Sequence, residues 1–281
     1  SLPHWVFRPY ASVSTAILIF RKVGPTQRTW FYKLENDGFS SDAQKTPVNG
    51  SEIPEIKALW RIRETDEYTE KPRKHRWVTA EEVRSNDYDL CPSVYLSGYK
   101  YPDTYPLKPL SEFFTVGKGN VGAANANGGC YPFVTSAAEI KAYDTWSFDG
   151  EAICIPIVSA TGHGHASIKT IHYINNKFEA ATITAVLQPI SAEIYVPYVY
   201  YYLRVHKDEL LVPLMRGAAN VSLNLDRLMK LRIPVPETVE QQKALVRRIE
   251  DKENHIKEAK EQLYKARNRF DKELGNLRDT F

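Results

Sequence analysis

The alternation of apolar and polar positions divides the chain into three parts. In the first part, the β-branched and apolar run VSTAILIFRK (13–22) is separated by a Gly-Pro pair from TWFYKL (29–34). Two such runs on either side of a turn predict a hairpin or two adjacent strands. The chain then becomes polar and proline-broken. In this stretch EIPEIKALWRIR (52–63) predicts a short helix, and ETDEYTEKPRKHR (64–76) predicts an exposed connector of mixed charge.

The second part, residues 109–236, is rich in short strand candidates. These are EAICIPIVS (151–159), ASIKTIHYI (166–174) and AATITAVLQPI (180–190). Apolar positions at near-helical spacing predict a helix in VPYVYYYLRVHKDELLVPLM (196–215). The part closes with LNLDRLMKLRIPVPE (223–237), which predicts a short helix followed by a strand that ends at prolines.

The third part, from Val239, predicts one long helix. Apolar residues alternate spacings of four and three, as in a coiled-coil seam, and only Lys252 interrupts them. The seam positions for which we predict contact with a partner helix are Leu245, Ile249, Ile256, Leu263 and Phe270. About 39 residues at roughly 1.5 Å each give a rod of about 58 Å. A stripe of that length favours a partner helix, and packing onto the chain's own domain is the alternative.

Composition and charge exclude only a few classes of protein function. The formal net charge is +3, and residues 109–236 carry 10 Lys and Arg against 10 Asp and Glu, so bulk charge does not indicate a nucleic-acid binder. Three widely spaced cysteines indicate neither a disulfide framework nor a zinc knuckle. The sequence shows no membrane-spanning run and no signal peptide at its start, so we expect a reducing, cytoplasmic location and no membrane partner.

Two Gly-rich stretches raise the question of chemistry. GKGNVG (117–122) matches a dinucleotide-binding pattern, but the next ten residues, AANANGGCYP, break helices, so we predict a Gly/Asn loop and no cofactor site. No phosphate loop and no Asn/Asp-Pro-Pro-aromatic tetrad is present. In TGHGHASI (161–168), His163 and His165 are two apart, with His172 nearby. A metal site, buried structural histidines and a partner-contacting loop all remain open, and we predict no catalytic residue and no metal ligand.

Several stretches in order resemble the target recognition domain of type I restriction–modification specificity subunits. They are GGCYPFVTSA (128–137), WSFDGEAICIPIVSATGHGHASI (146–168), IHYINNKF (171–178), RGAANVSLN (216–224), LMKLRIPVP (228–236) and EQQ (240–242). The resemblance implies a domain that recognises double-stranded DNA, followed by a long helix that pairs antiparallel with a second one. Family members usually carry two recognition domains and two helices. The single copy here resembles a half-specificity unit, which needs a second copy.

The first part resembles the C-terminal end of an N6-adenine DNA methyltransferase, the modification subunit of the same systems. The stretches that carry this resemblance are VFRPYASVSTAILIFRK (6–22), TWFYKLENDGFSSD (29–42) and WVTAEEVRSNDYDL (77–90). It implies that S-adenosylmethionine is the cofactor of the full methyltransferase, with the cofactor and catalytic residues upstream. Methyltransferase and restriction subunits are then the implied protein partners.

Together these observations predict an α+β fold. We expect a methyltransferase remnant at residues 1–60 with a small β structure and a linker or tail at 61–108. We also expect a mixed α/β recognition domain at 109–237 and a long coiled-coil helix at 238–281. The alternatives are a histidine-dependent metal hydrolase and a coiled-coil protein-assembly module.

If the resemblance holds, three loops are expected to face DNA together: TGHGHASI, the Gly/Asn loop around Lys118 to Asn127, and RGAANVSLN. Gly-rich backbone can approach a groove closely, and Lys, Arg, Asn and hydroxyl side chains pair with phosphates or base edges. The predicted DNA-binding residues are Lys118, Asn120, Thr135, Ser136, His163, His165, Lys169, Arg216, Asn220 and Asn224. Ordinary surface loops are the alternative.

Overall fold

The computed structural model describes residues 1–11, 13, 15–86, 88–96, 98–126, 128–160, 166–217 and 221–278, the last four of them without their side chains. The strands are β1 (Arg28–Tyr32), β2 (His75–Thr79), β3 (Leu107–Pro109), β4 (Phe114–Lys118), β5 (Tyr131–Val134), β6 (Lys141–Tyr143), β7 (Glu151–Pro156), β8 (His172–Asn175), β9 (Glu179–Ala180), β10 (Thr184–Pro189), β11 (Met215–Arg216), β12 (Ser222–Leu223) and β13 (Arg232–Pro234). The α-helices are α1 (Ile53–Ile62), α2 (Ala80–Ser85), α3 (Pro92–Tyr95), α4 (Val196–Val205), α5 (Lys207–Leu210), α6 (Leu225–Lys230) and α7 (Val239–Arg278). This mixture confirms the α+β prediction. Within the described ranges, none of the helices is long and apolar enough to cross a membrane.

Residues 1–96, here called the N-terminal unit, are built around one antiparallel pair of strands. β1 pairs with β2 over its full length, so that Trp30 lies opposite Trp77. Helices α2 and α3 contact this pair. A small buried cluster joins them: Phe31, Val78, Val83, Tyr95 and Leu96. The strand partner of β1 therefore comes from the stretch predicted as connector and tail, and residues 61–96 belong to the same unit as residues 1–60.

The hairpin predicted between residues 13–22 and 29–34 is wrong. Residues 16–22 form no strand, and their apolar side chains are largely exposed, with Ile17 at 70% and Phe20 at 76%. Because β1 pairs with β2 instead, the local apolar run has no strand partner in the described part of the N-terminal unit. The short helix predicted at 52–63 is confirmed as α1.

Residues 107–234, here called the central domain, are organised by a four-stranded antiparallel sheet in the order β4-β10-β7-β8. The central strand β7 is buried on both faces. Ile153 and Ile155 point into the larger core, which α4, α6 and the start of α7 complete. Ala152 and Cys154 point into a second core on the opposite face. Burial on both faces explains why β7 is a continuous apolar run and shows no alternation.

The central domain starts and ends at one place. β3 pairs antiparallel with β13, so that Lys108 lies opposite Ile233. The Val235 N–H donates to the Pro106 carbonyl at 3.0 Å and extends this pairing. The chain passes from β13 into α7 after four residues.

Helix α7 is fixed to the central domain by a buried glutamine near its start. The Gln242 side chain has no exposed surface. Its Oε1 accepts a hydrogen bond from the Tyr195 N–H at 2.7 Å, and its Nε2 donates to the carbonyls of Glu193 at 3.0 Å and Pro236 at 3.2 Å. Three backbone groups just before α4 and α7 therefore depend on this one side chain. The long helix predicted from Val239 is confirmed.

Replacing Gln242 by Ala is expected to lower the free energy of unfolding by about 1–3 kcal/mol, because buried backbone donors and acceptors lose their partner. Urea denaturation measures this change. Gln262→Ala is the matched control, because Gln262 lies on the exposed part of the same helix. That control is expected to stay within about 0.5 kcal/mol of the parent chain. Equal midpoints for the two variants would contradict the assigned role of Gln242.

Candidate nucleic-acid interface

One end of the four-stranded sheet gathers the described flanks of the loops that the sequence singled out. Because neighbouring strands are antiparallel, the carboxyl ends of β4 and β7 lie beside the amino ends of β8 and β10. The register pairs Lys118 with Ala185, Pro156 with Thr184, and Cys154 with His172. The segments after β4 and β7 and the segment before β8 therefore leave the sheet on the same side. This sheet end is the candidate interface.

Backbone hydrogen bonds connect these segments further. The Ser159 N–H donates to the Val221 carbonyl at 3.0 Å, and the Leu223 N–H donates to the Ile157 carbonyl at 2.7 Å. The described flanks of TGHGHASI thus lie against the described end of RGAANVSLN. On the other side, the Thr182 N–H donates to the Val121 carbonyl at 2.9 Å, which joins the loop after β4 to the turn before β10.

Gly119, in the loop after β4, lies close to the backbone of another segment. A Cβ built on Gly119 would lie 1.9 Å from the Ala180 carbonyl oxygen, so only glycine fits this approach. The loop continues into a three-residue 3-10 helix at 123–125, which is too short to present a row of N-terminal amides to a phosphate. The GKGNVG stretch therefore ends strand β4 with Gly117 and Lys118 and continues as a loop from Gly119. It does not fit a dinucleotide or S-adenosylmethionine turn.

Three of the predicted DNA-binding side chains are exposed at this sheet end: Lys118, Asn120 and Lys169. Lys118 is the last residue of β4, Asn120 comes two residues later, and Lys169 precedes β8 by three. Two ammonium groups and one amide are thus presented at one end of the sheet, beside its two outer strands. Such groups can contact phosphates or hydrogen-bond to base edges.

Other predicted residues have local roles. Thr135 is 4% exposed, and its hydroxyl accepts from the Ala137 N–H at 3.1 Å. Ser136 beside it is half-buried. Asn224 is exposed, but its Oδ1 caps α6 by accepting from the Arg227 N–H at 3.0 Å. His163, His165 and Asn220 lie outside the described residues.

Arg216 is held by an acidic residue that sequence reasoning missed. Its Nη2 donates to Asp89 Oδ2 at 2.7 Å, and its Nη1 donates to the Pro213 carbonyl at 2.6 Å. Arg227 also forms an ion pair with Asp89. Burial raises the pKa of Asp89, but hydrogen bonds from Arg227, Arg216 and the Cys91 N–H outweigh it, so the pKa lies below its usual value. No local pattern marks this pairing, because Asp89 lies 127 residues before Arg216.

The described residues give no support to the metal alternative. His172 is buried, and its Nε2 lies 2.8 Å from the Ala137 carbonyl, to which it donates. That nitrogen is thus not available as a ligand. In the ranges that the structure describes, no group of three or more His, Cys, Asp or Glu side chains is placed to hold a metal ion.

Comparisons with solved structures give low overall similarity. The chain is similar to the S subunit of a type I restriction–modification system from M. genitalium, with 15% identity and a TM-score of 0.45, over 57% of this chain and 42% of that chain. It is also similar to the HsdS subunit from Thermoanaerobacter tengcongensis, with 16% identity and a TM-score of 0.39, over 73% of this chain and 50% of that chain. The chain thus spans half or less of the length of these two structures. A comparison with curated proteins gives no match.

Two protein-family models match adjoining segments of the chain. The model described as N-6 DNA Methylase matches residues 1–103. The model described as Type I restriction modification DNA specificity domain matches residues 102–265. The second match covers more than half of the sequence and contains the whole candidate interface. The chain therefore belongs to the family of type I restriction–modification DNA specificity domains.

Proposed function

We propose that the central domain binds double-stranded DNA sequence-specifically for a restriction–modification N6-adenine methyltransferase. The observation that carries this proposal is the sheet end at which Lys118 and Asn120, beside β4, and Lys169, before β8, are all exposed. All three lie within the residues that match the DNA specificity model. Lysines at such an end provide phosphate contacts, and an amide provides hydrogen bonds to base edges.

The match of residues 1–103 to the methylase model supports the link to a methyltransferase. In this proposal the chain itself performs no methyl transfer, and the full methyltransferase supplies S-adenosylmethionine chemistry from residues that this sequence does not contain. The chain's own role is to bind and to orient the DNA. Methyltransferase and restriction subunits are the proposed protein partners.

A selection from random duplexes tests the proposal. The protein is incubated with a duplex library, retained DNA is sequenced, and affinities for the selected and for mixed duplexes are measured at several salt concentrations. We expect an enriched sequence and an affinity that falls as salt rises, because phosphate contacts release counterions. Salt-dependent binding without enrichment would mean that the chain binds DNA but does not recognise a sequence. No binding would overturn the proposal.

Lys118→Ala is expected to weaken duplex binding in a way that identifies the group it contacts. If Lys118 contacts a phosphate, the slope of log affinity against log salt becomes shallower by about one. If it contacts guanine, preference at one base position relaxes by about 1–3 kcal/mol. Lys57→Ala, on the exposed face of α1, is the control and should change neither quantity. Unchanged affinity, slope and preference in Lys118→Ala would place the interface elsewhere.

We also propose that α7 pairs antiparallel with α7 of a second copy. Ile256, Leu263 and Phe270 are 54%, 70% and 60% exposed and are spaced at intervals of seven residues. Leu245, in contrast, packs against the larger core of its own chain, and Ile249 is half-buried. The stripe open to a partner therefore lies in the outer part of the helix. A second copy would supply the opposing recognition domain that a two-part site requires.

Replacing Ile256 and Leu263 together by Asp is expected to convert the dimer to monomer, because the seam would bury unpaired carboxylates at a cost of several kcal/mol. Sedimentation velocity measures the change. The matched control, Asn254→Asp with Asn268→Asp, adds the same charge at positions opposite the seam and should remain dimeric. A parent chain that is monomeric at high concentration would contradict the pairing.

A further inference from the structure

The contact between the N-terminal unit and the central domain contains a shared carboxylate. Asp89 has a side-chain exposure of 10%. Its Oδ2 accepts from Arg216 Nη2 at 2.7 Å and from Arg227 Nη1, and its Oδ1 accepts from the Cys91 N–H at 2.9 Å. Asp89 lies in the segment that matches the methylase model, and both arginines lie in the segment that matches the specificity model.

The two arginines flank residues 217–224, of which 217 and 221–224 are described. Arg216 is the last residue of β11, and Arg227 lies in the first turn of α6, which Asn224 caps. Between them the chain passes through residues 217–224, whose described end donates and accepts hydrogen bonds at Ile157 and Ser159 of the candidate interface. The Asp89 carboxylate therefore forms ion pairs with residues at both ends of the segment that borders this interface.

Asp89 is the charged member of a small set of contacts between the two regions. Ser93 Oγ donates to the Pro213 carbonyl at a long 3.5 Å. In the connecting segment, outside both regions, the Tyr99 hydroxyl lies 2.5 Å from that of Tyr202 in the central domain. Hydrogen bonds between charged groups are about twice as strong as neutral ones. Removing the carboxylate also leaves two part-buried guanidinium groups without their shared acceptor, which costs more than the loss of a neutral pair.

We propose that Asp89 is a positioning residue through which the N-terminal unit sets the position of β11, β12 and the start of α6, the described elements that border the candidate interface. Discrimination between DNA sequences by the central domain then depends on a residue of the methylase-like segment that does not touch DNA. This inference rests on the proposed function. It competes with the sequence-based prediction that Arg216 itself contacts phosphate or guanine, because the guanidinium is engaged by Asp89 and by two backbone carbonyls.

A double-mutant cycle distinguishes the two roles. The ratio of affinities for the selected and mixed duplexes is measured in Asp89→Asn, in Arg216→Ala and in the combined variant. We expect each single change to lower this ratio by about tenfold, within the usual range of coupling between sites. The combined variant is expected to lose no more than either single variant, because the two residues act as one pair.

Asp103→Asn is the control for removing a negative charge. Asp103 is exposed and lies in the segment that connects the N-terminal unit to the central domain. Asp103→Asn removes one negative charge, as Asp89→Asn does, and should raise the affinity for mixed duplexes at low salt by the same amount. It should leave the ratio of affinities for the selected and mixed duplexes unchanged. If Asp89→Asn keeps the ratio while Arg216→Ala lowers it, Arg216 contacts DNA directly and the proposal is overturned. Additive losses in the combined variant overturn it as well.

Hydrogen exchange tests the positioning without DNA. In Asp89→Asn, the amides of residues 214–217 and 221–228 are expected to exchange faster, while those of β7 and β10 keep their protection. If Asp89→Asn does not fold, Arg227→Gln takes its place, since it keeps the carboxylate and its pair with Arg216 but releases α6. Unchanged exchange in the tested variant overturns the proposal. If the parent chain binds all duplexes equally, the proposed DNA recognition is refuted. The hydrogen-exchange result then still tests the positioning role of Asp89 independently.

Discussion

Burial of the central strands on both faces is the constraint on which the rest of the central domain depends. β7 sends Ile153 and Ile155 into one core and Ala152 and Cys154 into the other, so neither face of this strand is free to bind a partner. The buried length of this strand therefore offers no side chain to a partner, and exposed groups are left to the outer strands and the strand ends. That explains why the exposed Lys118 and Lys169 occur at a sheet end and in the adjoining segments, on a scaffold that both cores hold rigid.

Elements whose signal is local can be predicted from the sequence. The apolar run of β7, the strand β10, the proline-started helix α1 and the repeat of α7 each carry their pattern within one short window, and the structure has all of them. The loop after β4 is also predictable, because the sequence beyond it breaks helices. Lys118, Asn120 and Lys169 lie at exposed positions at one end of the sheet, and strand ends and Gly-rich loops are visible in a sequence.

Elements that depend on distant residues could not be predicted. The start of β2 has the local pattern of a charged connector, and its partner β1 lies more than 40 residues earlier, so no short window shows the pairing. The apolar run at 16–22 lies nearer to β1 in the sequence and therefore looks like its partner. Asp89 and Gln242 look like ordinary polar residues in a polar context. Only the fold shows that Asp89 is shared by two arginines and that Gln242 binds three backbone groups. The sequence predicts that Thr135 donates to phosphate, yet Thr135 is buried and its hydroxyl accepts a hydrogen bond from the Ala137 N–H.

The pairing of β3 with β13 has a consequence for how this domain can change in evolution. Because the chain enters and leaves the central domain through two adjacent antiparallel strands, the whole of residues 107–234 is inserted at a single point between the N-terminal unit and α7. A segment joined in this way can be exchanged for another of different specificity without moving its neighbours. The replacement must keep the strand pair at its base and two basic side chains that face Asp89. It must also keep the backbone groups that bind Gln242 and the apolar surface that receives the start of α7. New specificities could thus arise by recombination of whole domains, with the flanking parts unchanged.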